Sequence, residues 1–181
     1  MKRMNLPNRL TMLRILLVPV FVLLFYAGWY FLSLIVFAAA SITDTLDGYI
    51  ARSQNLVTNF GKLMDPLADK ILVMAAMLCF VQAGRCPAWV VIVILAREFL
   101  VTSLRLIAAG EGIVIAADVF GKLKTIFQMV WIVCGLLALS FSGVKLFSAF
   151  ASVLMWVSLA LALLSGANYC IKNRAVFLSD L

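Results

Sequence analysis

Four aspartates, Asp44, Asp47, Asp65 and Asp69, stand in two short clusters, each bordering an apolar run. A helix advances about 100° per residue, which places Asp44, Asp47, Gly48 and Ala51 on one side of a first helix. Two acids and two nearly side-chain-free positions then share a face, a pocket with charge at its floor and room above it. Gly61, Asp65 and Asp69 follow the i, i+4, i+8 row of a second helix and form a narrow stripe. Antiparallel pairing of these helices through the Ser53–Phe60 connection brings the stripes together. Carboxylates facing one another repel unless cations lie between them or some are protonated. The pattern therefore reads as a divalent-metal site inside a membrane protein.

The elements that position these groups follow from composition. Hydrophobic residues make up 65% of the 181-residue chain and charged ones 13%, with a mean hydropathy of +1.12. A transmembrane helix needs about 20 largely apolar residues. Six segments meet that need: Leu10–Tyr26, Tyr30–Tyr49, Leu63–Ala83, Ala88–Ala108, Val119–Phe141 and Leu146–Cys170. The expected architecture is an all-α integral membrane protein with six transmembrane helices, forming one domain over residues 1–181. The first segment is too long and continuous for a signal peptide.

Charge sets the orientation. Lys2, Arg3, Arg9, Arg14, Arg52, Lys62, Arg105, Lys122, Lys124, Lys172 and Arg174 fall at one end of the segments, against Arg85 and Lys145 at the other. The positive-inside rule places both termini and the aspartate-rich connection in the cytoplasm. All eight acids gather at that same end. The net charge of +7 is then anchoring against anionic lipid, not affinity for nucleic acid. Cys79, Cys86, Cys134 and Cys170 make no CxxC pair and histidine is absent, which excludes the usual zinc sites. These cysteines read as small apolar packing residues.

Polar residues within the apolar segments are expensive there and need a reason. Pro7, Asn8 and Thr11 mark an interfacial helix entry, and Arg9 and Arg14 are expected to snorkel toward headgroups. Arg97 and Glu98 lie roughly 15 Å into the fourth segment at the helical rise. They read either as a structural ion pair or, for the arginine, as the wall of a water-filled cavity for an anionic group. Arg105 follows two turns later. Asp118 reads as a helix-starting residue before Lys122 and Lys124, which stand about 200° apart and cannot face one pocket. Gln128 reads as an interhelical hydrogen-bonder.

The arrangement Asp44-x2-Asp47-Gly48-x2-Ala51-Arg52-x8-Gly61-x3-Asp65-x3-Asp69 resembles the signature of the CDP-alcohol phosphotransferase family, with all eight fixed positions present. The flanks Leu6-Pro7-Asn8-x-Leu10-Thr11-x2-Arg14, Arg97-Glu98-Phe99 and Gly121-Lys122-x-Lys124-Thr125 are similar to the bacterial phosphatidylglycerophosphate synthases within it. The resemblance implies transfer of a phosphatidyl group from CDP-diacylglycerol to sn-glycerol 3-phosphate, releasing CMP. It implies two divalent cations, Mg2+ or Mn2+, on Asp44, Asp47, Asp65 and Asp69, with Asp69 also the catalytic base. Gly48, Ala51, Arg52 and Gly61, with Asn8 and Thr11, would meet CDP-diacylglycerol. Arg97, Arg105, Lys122 and Lys124 would meet the glycerol phosphate. A homodimer in the bacterial cytoplasmic membrane, active site toward the cytoplasm, is implied as well.

The residue types support this chemistry independently. Hard cations held by carboxylates neutralise diphosphate oxygens, and without histidine an aspartate is the natural base. Competing readings are the same chemistry on inositol phosphate, serine or phosphatidylglycerol, and an ion-coupled transporter. Buried cations disfavour serine. A transporter pathway needs carboxylates toward both sides, and here they lie toward one.

Overall fold

The computed structural model describes residues 6–53, 59–110 and 119–172, apart from the side chains at 6, 7, 44–53, 59–63, 65 and 66. The described residues form six helices: α1 Leu6–Tyr26, α2 Tyr30–Ser53, α3 Asn59–Gln82, α4 Ala88–Gly110, α5 Val119–Ser140 and α6 Lys145–Lys172. No strand occurs among them.

Each apolar run of the sequence becomes one helix, but several extend past the hydropathy limits. α1 begins at Leu6 and takes Pro7 into its first turn, where the missing N–H has no intrahelical partner to lose. α2 continues to Ser53 and α3 opens at Asn59, so the aspartate signature is helical at backbone level on both sides of the connection. Hydropathy ends the segments early there because the added turns are polar. Asp118 lies outside the described residues, and α5 begins just after it.

Tight turns join α1 to α2, α3 to α4 and α5 to α6. Gly28 and Gly84 take positive φ values of 79° and 67°, the left-handed conformation that closes a helix C-terminus. Around Gly28, the Trp29 N–H donates to Leu24 O at 3.0 Å and Gly28 N–H to Phe25 O at 3.1 Å; Arg85 and Gly84 repeat the pattern on Phe80 and Val81. Helix carbonyls are thereby satisfied before the chain reverses.

α1 packs on α2 and α3, α5 lies against α6 and α2, and α4 rests on α6 and α3. Toward the end that holds these turns, the core is aromatic: Phe25–Phe80 and Phe80–Trp131 centroids are 6.1 and 6.0 Å apart, and Phe21 meets Phe37 at 6.1 Å. The outer surface is also apolar, with Leu16, Leu23, Ile92, Leu106, Val153 and Ile171 exposed. Among the described residues, Asn8–Tyr26, Val119–Ser140 and Lys145–Lys172 are long and apolar enough to cross a membrane. An apolar exterior around an apolar core is what a hydrocarbon solvent selects.

Candidate active site at the polar end of the bundle

Away from the aromatic turns, residues in the N-terminal halves of α3 and α5 meet residues in the middle and C-terminal half of α4 and near the C-terminus of α6. Here the polar residues converge. Asp69 and Lys70 on α3, Glu98 on α4, and Lys124, Thr125 and Gln128 on α5 face a narrow cleft of about 50 Å³ floored by Met74, Met77 and Met129. Beside it opens a larger cavity of about 420 Å³, lined by Lys70, Arg97, Arg105, Lys122, Thr125 and Tyr169 among others. Lys70, Glu98 and Thr125 border both. An open cavity walled by two arginines and two lysines is suited to an anion.

Glu98 is the counter-ion that makes this cationic wall possible. Its Oε1 accepts from Arg97 Nη1 at 2.6 Å and from Lys124 Nζ at 2.8 Å. Arg97 thus forms the ion pair with Glu98 and also lines the larger cavity. Arg97 Nη2 also donates to Ser165 Oγ on α6. Its stem passes between two glycines: a Cβ at Gly121 would stand 3.3 Å from Arg97 Nη2, and one at Gly166 would stand 3.1 Å from its Cγ. Arg105 donates from Nε and Nη2 to the Tyr169 hydroxyl at 2.8 and 2.5 Å.

The structure groups Arg97, Arg105 and Lys122 on the larger cavity and sets Lys124 on the smaller one. The 200° between the two lysines accounts for this separation. Gln128 is buried and donates to Met77 Sδ at 3.0 Å, the interhelical contact expected of it. On α1, Asn8, Thr11 and Arg14 are buried on one face. Arg9 is exposed, but Arg14 does not snorkel: it is 0% exposed, and its Nε donates to Ala40 O at 3.3 Å on α2. Arg14 shares the helical stripe of Phe21 and Phe25, so packing against α2 and α3 overrides its pull toward headgroups.

The side chains of Asp44, Asp47, Gly48, Ala51, Arg52, Gly61 and Asp65 lie outside the described residues. Their backbone positions fall in the last turns of α2 and the first turns of α3. Lys70, Thr102 and Tyr169, which border the cavities, and Ser165, which braces Arg97, are assigned no site role from sequence. Lys70 donates to the Thr102 hydroxyl across the α3–α4 gap. A signal existed on α6, where Ser158, Ser165 and Tyr169 share a face in an otherwise apolar helix, all of them buried.

Comparison with known proteins matches residues 4–164 to the CDP-alcohol phosphatidyltransferase family. The chain is 45% identical to the CDP-diacylglycerol–glycerol-3-phosphate 3-phosphatidyltransferase of Bacillus subtilis (strain 168), over 93% of this chain and 95% of the relative. It is 39% identical to the protein of the same name from Rickettsia typhi, over 91% of this chain and 94% of that one. It is 43% identical to a probable phosphatidylglycerophosphate synthase of Mycobacterium tuberculosis, over 91% of this chain and 79% of that protein. With its eight-residue signature intact and its polar helix ends gathered around an anion-sized cavity, the chain belongs to the CDP-alcohol phosphatidyltransferase family.

Proposed function

We propose that this protein transfers the phosphatidyl group of CDP-diacylglycerol to sn-glycerol 3-phosphate, giving phosphatidylglycerophosphate and CMP. The reaction is the one that the Bacillus and Rickettsia relatives are named for. The observation that carries the acceptor is the cavity lined by Arg97, Arg105, Lys122 and Lys70, open beside Asp69. It pairs a phosphate-binding wall with a carboxylate on the adjoining cleft.

In this reading a glycerol hydroxyl attacks the phosphorus that carries diacylglycerol. The new P–O bond forms as the bond to CMP breaks, and the hydroxyl proton passes to the Asp69 carboxylate. Arg97, Arg105 and Lys122 hold the acceptor's own phosphate and orient the hydroxyl. Asn8 and Thr11 at the α1 entrance, Gly48, Ala51 and Gly61 as close-approach positions, and Arg52 on the diphosphate hold the nucleotide lipid. Lys124 keeps Glu98 in place beside them.

The donor set fits hard divalent cations: it is carboxylate only, in a chain without histidine, and Asp69 borders the cleft at the polar helix ends. Asp44, Asp47, Asp65 and Asp69 would hold two such ions, Mg2+ or Mn2+, which when bound neutralise diphosphate oxygens and stabilise the leaving CMP.

The same reading takes residues 1–181 as one domain crossing the bacterial cytoplasmic membrane six times, with both termini and the site toward the cytoplasm. It places the soluble substrates and the acyl chains on the correct sides of one boundary. The working unit is a homodimer. The test supplies purified protein with CDP-diacylglycerol and a panel of glycerol 3-phosphate, inositol phosphate, serine and phosphatidylglycerol, and identifies the lipid formed. Phosphatidylglycerophosphate with equimolar CMP, lost in EDTA and restored by Mg2+ or Mn2+, is expected. A different lipid product would replace the acceptor, and CMP release indifferent to EDTA would remove the metal site.

A further inference from the structure

The two arginines of the larger cavity are anchored in different ways. Arg97 is tied to a carboxylate, Glu98, and to Ser165. Its charge therefore has a carboxylate partner within the protein, one that it shares with Lys124. Arg105 is tied to Tyr169 alone among the hydrogen bonds described for it, through Nε at 2.8 Å and Nη2 at 2.5 Å. Its guanidinium carbon also lies 5.3 Å from the Tyr169 ring centroid. A phenol oxygen accepts hydrogen bonds without bringing a negative charge, and a ring face attracts a cation without neutralising it. Tyr169 is itself 3% exposed, so the anchor is rigid while the arginine it holds reaches the open cavity.

We infer that Tyr169 is a positioning residue for acceptor recognition: it fixes Arg105, which has no carboxylate partner among the described residues, as the guanidinium that meets the acceptor's phosphate. The inference rests on the acceptor-site reading above. A guanidinium carries five N–H donors, and the two committed to Tyr169 leave three directed elsewhere. An arginine on an open helix face would otherwise pay about 2 kcal/mol in rotamer freedom when it closes on a ligand. Tyr169 and Ser165 are one turn apart on α6, so this helix braces both arginines while contributing no charge of its own at that turn.

The test measures steady-state kinetics for both substrates in Tyr169→Phe, Arg105→Ala, Arg105→Lys and the double variant Tyr169→Phe/Arg105→Ala. Tyr169→Phe keeps the ring and loses the hydroxyl. The expected result is a KM for glycerol 3-phosphate raised about tenfold, the scale of one hydrogen bond to a charged group, with kcat and the KM for CDP-diacylglycerol within about twofold. Inorganic phosphate should weaken as a competitive inhibitor by a similar factor. Arg105→Lys, which cannot make the forked contact, should reproduce the effect. In the Arg105→Ala background the loss of the hydroxyl should change nothing further.

An unchanged acceptor KM in Tyr169→Phe, beside a raised one in Arg105→Ala, overturns the role of Tyr169 and leaves the acceptor site standing. A Tyr169→Phe effect that persists without Arg105 also overturns it, as does a wild-type KM in Arg105→Lys. An unchanged acceptor KM in Arg105→Ala removes the site itself, and the inference with it.

Discussion

The Lys124 ammonium on α5 stands 2.8 Å from Oε1 of Glu98 on α4, and the lysine side chain is 3% exposed. A cation so enclosed has few means of recovering hydration if its partner is lost. Arg97 Nη1 lies on the same oxygen, so Glu98 is the shared counter-ion of two cations and the trio keeps one positive charge. Removing one member of a buried pair is far more damaging than replacing both by apolar groups. Glu98→Ala should therefore destabilise the detergent-solubilised protein by about 3 kcal/mol, read from its unfolding midpoint. Glu98→Ala with Lys124→Met should recover part of that loss, though Arg97 remains. A double variant no more stable than Glu98→Ala would mean that Lys124 is not the group Glu98 protects.

Asp69 is the signature acid whose side chain the structure describes, and it borders the cleft next to the cationic cavity. A carboxylate that both receives a proton and helps to hold cations is not replaced by an amide, which has no basic oxygen and no charge. Asp69→Asn should abolish turnover with a monodisperse, folded protein in detergent. Near-normal activity of that variant at saturating metal would sink the base assignment.

The aspartate pattern and the helical content were legible because both depend on periodicity within one segment. The spacing of Asp44, Asp47, Gly48 and Ala51 has meaning whatever packs against it, and apolar runs of membrane length form helices because lipid offers the backbone no other partner. What packs across helices was not legible. Arg14 looks from its neighbours like a residue near headgroups, yet its side chain faces α2 and is enclosed. Tyr169 and Arg105 are 64 positions apart, and nothing local to either announces the other. The separate cavities of Lys122 and Lys124 followed from helix geometry, but the commitment of Lys124 to Glu98 depended on how α4 sits against α5.

Lys70 follows Asp69 directly and borders both cavities. Its ammonium donates to the Thr102 hydroxyl, which in turn donates to the Glu98 carbonyl at 2.7 Å. An ammonium held by neutral oxygens keeps its charge for an arriving phosphate. Lys70→Met should raise the KM for glycerol 3-phosphate several-fold, while Thr102→Val, which only loosens the lysine, should raise it less. Equal effects on both substrates' KM values would place Lys70 on the diphosphate instead.

Two glycines separate stability from recognition in one experiment. A Cβ at Gly135 would fall 2.6 Å from Phe80 Cζ, and Phe80 is 1% exposed between Phe25 and Trp131, so the ring has nowhere to go. Overpacking of this kind costs about 1–3 kcal/mol, and Gly135→Ala should lower the unfolding midpoint while leaving the acceptor KM alone. At Gly166 the new Cβ would stand 3.1 Å from Arg97 Cγ, a contact that a few tenths of an ångström would relieve. Arg97 cannot yield without disturbing its guanidinium, which is held by Glu98 on one side and Ser165 on the other. Gly166→Ala should therefore shift the guanidinium within the cavity and raise the acceptor KM, with a smaller loss of stability than Gly135→Ala. If Gly166→Ala instead lost stability as heavily and left the acceptor KM untouched, Arg97 would be a structural strut and not part of the phosphate wall.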